Sequence, residues 1–120
     1  MKRGNAVQEK SYAFALRIVR TYRHLAEERK EFVLSRQLLR SGTSIAANVE
    51  EAIGGQSTKD FIAKMSVAYK EARETHYWLR LLRDSGFLGE ADSAAIIMDC
   101  DELLKLTGSI VKTTKRNRDS

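Results

Sequence analysis

Residues Leu38–Gly55 read LLRSGTSIAANVEEAIGG, and their spacing decides the fold. Leu38, Gly42, Ile45, Val49 and Ala52 recur at steps of four, three, four and three. That is the period of an α-helix packing along a seam. Beside the seam, Gln37, Arg40, Ser44, Asn48 and Glu51 fall on a second face that is polar yet compact. A solvated helix face usually carries Lys and Glu in no fixed order, so this small-polar set asks for a partner elsewhere in the chain. Gly54-Gly55 ends the helix, with glycine expected in the left-handed conformation. Ser57 then restarts the chain as an N-cap, with Asp60 three residues on as a shortened capping box.

Working outward, the spacing predicts four helices, over about 7–29, 36–53, 59–85 and 91–113. The first has Asn5 as a candidate N-cap and Phe14, Ile18, Tyr22 and Leu25 as one apolar row. Tyr12, Leu16, Val19 and Ala26 form a second row beside it. Two rows make a sector wider than one neighbour needs, so this helix sits between two neighbours or meets another subunit. Ser35 is the expected cap of the second helix. Phe61, Met65, Ala68, Ala72, Thr75, Leu79 and Leu82 keep heptad-like spacing through the third, which Gly86 ends. The fourth has Ile96, Cys100, Leu103, Thr107 and Ile110 as its seam, and the closing KTTKRNRDS reads as frayed. Four amphipathic helices with short connectors, and no alternating segment, predict an all-α, antiparallel up-down-up-down four-helix bundle in a single domain over 1–120.

Composition fits that architecture and narrows function. The chain has 120 residues, no Pro and one cysteine, Cys100. A lone cysteine excludes an internal disulfide framework and fits a reducing, cytoplasmic setting. MKRGNAVQEK has a basic start without an apolar run behind it, so neither a secretory leader nor a membrane anchor is expected. The formal charge is +5, and it is local. Residues 1–30 hold eight Lys and Arg against three Glu, and residues 57–88 hold six against four acids. A local basic excess points toward polyanionic partners more than a total does.

Two blocks resemble a known family. RSGTSIAANVEEA, from Arg40, is similar to the Arg-x-x-x-Ser-Ile-x-x-Asn-Ile-x-Glu-Gly signature of the proteins encoded in intervening sequences of bacterial 23S ribosomal RNA genes. KDFIAKMSVAYKEARETHYWLRLLRDSGFL, from Lys59, resembles that family's second block, with Lys-Glu-Ala-x-Glu-Thr and then Trp-Leu. Arg40, Ser44, Asn48 and Glu51 occupy the polar positions of the first block, and Glu71, Glu74 and Trp78 those of the second. Ala46 and Ala52 stand where many members have proline and glycine, which favours a straighter second helix here. The resemblance implies a bundle that assembles as a homo-oligomeric ring, often a pentamer, and it implies no agreed activity. A related group serves as a basic accessory subunit to reverse transcriptases in diversity-generating retroelements, which by analogy brings nucleic acid into view.

Two constellations then carry the functional question. Arg40, Ser44, Asn48 and Glu51 with Glu71, Glu74 and Trp78 read as a polar network that holds helices or subunits in register. Trp78, large and off the seam, reads as an intersubunit anchor. The competing reading is a carboxylate pair for metal or acid–base chemistry. Dinuclear helical sites need Glu-x-x-His, and Thr21 and Arg73 stand three residues before His24 and His76. No catalytic residue, metal ligand, cofactor or small-molecule substrate is therefore expected, and both histidines read as surface or interface residues. The basic set is Lys59, Lys70, Arg73, Tyr77 and Arg80 on the third helix, with Arg3, Lys10, Arg17 and Arg20 on the first. Such faces suit a phosphate backbone of RNA or DNA, with the aromatic available for stacking. They equally suit an ordinary solvated face laced by pairs such as Lys70 with Glu74 and Asp60 with Lys64, which would leave a structural or adaptor oligomer whose partner is another protein.

Overall fold

Four helices account for nearly all of the chain: α1 (Lys2–Glu27), α2 (Leu34–Ile53), α3 (Thr58–Asp84) and α4 (Glu90–Asp119). The structure, a computed structural model, describes residues 2–120, with side chains from Ala6 onward. The molecule is a rod of 50 × 21 × 20 Å. Each helix packs against its chain neighbours, and α1 and α4 close the bundle more loosely than the other pairs. The pairings run antiparallel throughout. Gln8 meets Glu50 and Ile18 meets Gly42 across α1/α2, while Lys10 meets Glu102 and Arg17 meets Asp99 across α1/α4. Among the described residues no helix is long and apolar enough to cross a membrane.

The core follows the predicted seams. Leu38, Ile45, Val49 and Ala52 of α2 are buried, as are Met65, Ala68, Ala72, Leu79 and Leu82 of α3 and Ile96, Cys100, Leu103 and Ile110 of α4. Ile62 takes the buried place at the start of α3 that the spacing gave to Phe61, which is only half-buried. In α1, Phe14, Ile18 and Leu25 are buried, but the second row is split: Tyr12 is 60% exposed and Leu16 44%, while Val19 and Ala26 are half-buried. The buried polar residues are small. The Ser41 and Thr75 hydroxyls lie 2.9 Å apart between α2 and α3, and Thr75 also donates to the Glu71 carbonyl at 2.8 Å. Cys100 donates from Sγ to the Ala72 carbonyl at 3.3 Å, and burial pushes its thiol pKa up to about 12. It stays a protonated core thiol rather than a nucleophile.

The helix ends differ from expectation in instructive ways. Asn5 lies inside α1, which begins at Lys2, and α4 stays helical to Asp119 through the tail expected to fray. Ser57 is a true cap, accepting from the Asp60 N–H at 3.0 Å. Ser35 is not a cap: it is buried in the first turn of α2, and Glu31 caps from outside instead. The Glu31 carboxylate accepts from the N–H groups of Val33, Leu34 and Ser35 at 3.1, 3.0 and 2.7 Å. Gly54 has φ −81°, so the α2 stop needs no left-handed residue. Gly55 instead allows close approach, because a Cβ there would lie 3.1 Å from the Ala52 carbonyl oxygen. The left-handed glycine is Gly86, at φ +86°. Around it the Phe87 N–H bonds the Leu82 carbonyl at 2.9 Å and its own N–H bonds that of Arg83 at 3.1 Å, a Schellman stop.

One turn is strained. Lys30 sits at φ +54° between α1 and α2, where an L side chain crowds the following carbonyl. Lys30→Gly is expected to raise stability by about 1 kcal/mol. Urea unfolding with an unchanged m-value would report it.

Candidate nucleic-acid interface

Two side-chain groups from the sequence reading come together in space, and they adjoin one another on α3. The first is a clamp between α2 and α3. Arg40 reaches across to Glu74 and, through Nη1, to Glu71 at 3.3 Å. The Trp78 indole N–H donates to the same Glu74 carboxylate at 3.0 Å, and the ring packs half-buried against the chain's own core. Arg40, then the Trp78 N–H, hold the Glu74 carboxyl below its ordinary range, and Glu74 in turn raises the Arg40 pKa. Ser44 and Asn48 stand apart from this clamp. Asn48 donates back along α2 to the Ser44 carbonyl at 2.9 Å and hydroxyl at 3.0 Å, while Glu51 is exposed.

The fold favours the charged form of Glu31 as it does that of Glu74. Burial opposes the Glu31 charge, but the backbone N–H groups of Leu34, Ser35 and Val33 outweigh it, so its pKa is lowered too. A carboxyl depressed in the folded state contributes stability above its unfolded pKa, near 4.3 for Glu, and loses it as pH falls through the folded value. Stability is expected to hold from neutral pH down to about 5 and then decline. Glu31→Gln should make that acid limb shallower in a urea series run against pH.

The second group is the basic face. Lys70, Arg73, Glu74, Tyr77 and Arg80 line one shallow groove of about 390 Å³, in which Glu74 is engaged by Arg40. Tyr77 is 48% exposed at its centre. Lys59, on the same face, lies about 16 Å from Lys70 along the helix axis, eleven residues at 1.5 Å each. The helix pairs that would have neutralised this face do not form. Among the described residues neither Lys70 nor Arg73 has an ion-pair partner, because Glu74 turns to Arg40, and Asp60 and Lys64 are likewise unpaired with each other.

The α1 set has a different setting. Lys10 pairs with Glu102 at 3.0 Å and Arg17 with Asp99 at 2.7 Å, tying α1 to α4. Arg20 lines the grooves between these helices, and the Arg3 side chain lies outside the described residues. Lys10 and Arg17 are therefore matched inside the chain, whereas Lys70 and Arg73 of the α3 face, among the described residues, are not.

The 23S rRNA-intervening sequence protein family model matches residues 3–109. The chain belongs to that family. Among solved structures, a protein of unknown function from the S23 ribosomal protein family of Bacteroides thetaiotaomicron is 49% identical. The match covers 92% of this chain and 98% of that one, with a TM-score of 0.90. A search of curated proteins returned no match.

Within this 23S rRNA-intervening sequence family member, two residues beside the basic groove escaped the sequence reading. His76, taken as a histidine without a carboxylate, has Nε2 2.9 Å from Asp101 Oδ1 of α4. Its Nδ1 accepts from Arg80 Nε at 2.9 Å, which leaves the ring proton on Nε2, facing Asp101. The pairing crosses two helices twenty-five residues apart, so no local spacing could reveal it. The antiparallel register could: Cys100 opposite Ala72 already brings Asp101 near the turn that holds His76. Among the described residues no group of three His, Cys, Asp and Glu side chains is placed to hold a metal.

Proposed function

We propose that this protein is a non-enzymatic, self-associating helical bundle that binds RNA or DNA through the α3 face of Lys59, Lys70, Arg73, Tyr77 and Arg80. The observation that carries the reading is the unneutralised groove around Tyr77, since cations left without carboxylate partners beside an open aromatic are what a nucleic-acid backbone requires. Self-association rests on Tyr12 and Leu16, which the bundle leaves exposed on α1. A ring of copies, pentameric or otherwise, repeats each basic face and turns weak contacts into avidity. Glu71 and Glu74 serve the Arg40 clamp in this reading, not chemistry. Light scattering at micromolar concentration, with and without a mixed RNA and DNA pool, tests assembly and partner together. The expected mass is several times 13.6 kDa, rising further with the pool at low salt. A 13.6 kDa monomer would remove the assembly, and no response to the pool would leave an oligomer whose partner is another protein.

A further inference from the structure

The basic groove holds more than charge, because its aromatic and one of its cations are fixed in place by their neighbours. The Tyr77 and Trp78 rings meet edge to face, with centroids 4.9 Å apart and planes at 67°. Trp78 is in turn tied to Glu74, and Glu74 to Arg40. The Arg80 guanidinium lies over one face of the Tyr77 ring, 6.0 Å from its centroid, and the ring is still 48% exposed. Its Nε is held by His76 Nδ1 at 2.9 Å and by the His76 carbonyl at 3.3 Å, and His76 is held against Asp101. Among the described residues the two terminal amino groups of Arg80 have no protein partner, so they are oriented and open.

We propose that Tyr77 is the stacking platform for an unpaired base of a single-stranded nucleic acid, whose phosphates lie on Lys70, Arg73 and Arg80. This rests on the basic-face reading above and sharpens its partner. Along the helix the cations stand about 10 and 6 Å before Tyr77 and about 4.5 Å after it, so they bracket the ring. A base stacked on an exposed ring needs a free π-face, which a paired duplex keeps inside its own stack. Phosphate contacts alone do not distinguish single from double strands, whereas stacking does. Holding a long Arg side chain and an aromatic ring in place before binding removes ordering that the complex would otherwise have to supply. His76 and Asp101 are then positioning residues, acting through Arg80.

The test is fluorescence anisotropy with one labelled twelve-nucleotide sequence, as RNA, as DNA and as the DNA duplex, at a fixed salt concentration. Both single strands are expected to bind more tightly than the duplex. Tyr77→Leu, at an exposed position that leucine fills without harm to the helix, should weaken single-strand binding about tenfold, the size of one lost stack. Duplex affinity should fall much less than single-strand affinity, and the salt slope should be kept, because no cation is removed. His76→Phe should weaken single-strand binding, and His76→Gln, which keeps a donor and an acceptor, should restore it. Emission from Trp78, the single tryptophan, should change with the single strands and not with the duplex. Salt-dependent binding in which the duplex equals the single strands, or in which Tyr77→Leu changes nothing, overturns the stacking platform and leaves the basic face standing. Absence of binding to all three polymers overturns the basic face itself.

Discussion

Gly42→Leu is expected to destabilise the bundle by about 3 kcal/mol, the largest loss of any single substitution considered. Gly42 is where α2 touches α1. A Cβ built there would lie 2.7, 2.8 and 2.9 Å from Cγ1, Cγ2 and Cδ1 of Ile18. Ile18 is fully buried and cannot swing aside without displacing its neighbours. Even Gly42→Ala should cost about 1 kcal/mol net, although alanine in a helix interior ordinarily gains about that much over glycine. The two sites are coupled, so Ile18→Ala, which removes all three crowding atoms, should make the second substitution at Gly42 far less costly than in the parent. Denaturant midpoints for the four corners of that cycle measure it. A Gly42→Ala variant more stable than the parent would mean that α1 and α2 are not so close.

That glycine also shows what a sequence can and cannot reveal. Its place in the Leu38–Ala52 seam was legible because burial repeats at helical steps, and the same periodicity located the cores of α3 and α4. Which helix it would meet was not legible, since a seam does not name its partner. The misplaced caps have a related cause. Ser35 has a capping residue's chemistry, but Glu31 reaches the same N–H groups from outside the helix and leaves Ser35 to be buried. The two apolar rows of α1 meet two neighbours, α2 and α4, and Tyr12 and Leu16 are left exposed at one end of the second row. At the candidate site, Arg40, Glu71, Glu74 and Trp78 met as their helical flanks suggested. Ser44, Asn48 and Glu51 share a flank with Arg40, but Asn48 bonds back to Ser44 within α2 and Glu51 is exposed. Lys10 and Arg17 looked free because their acids, Glu102 and Asp99, lie at the far end of the chain.

The second large effect concerns the basic face. Arg73 and Arg80 flank Tyr77 in the groove and, among the described residues, neither forms an ion pair. Reversing both charges removes two phosphate contacts and adds two repulsions, so affinity should fall by about a hundredfold, roughly tenfold for each site. Each contact also contributes about 0.7 to the slope of log K against log salt on a single strand and about 0.9 on a duplex. The proper control reverses Lys112 and Lys115 on α4 instead, since either double variant lowers the formal charge from +5 to +1. The decisive measurement is therefore the salt dependence of binding for the parent, Arg73→Glu/Arg80→Glu and Lys112→Glu/Lys115→Glu. A slope flattened by about 1.4 to 1.8 in the α3 variant, and kept in the α4 variant, is the predicted result. Identical slopes in all three, or an equal loss in both variants, would contradict a binding face on α3.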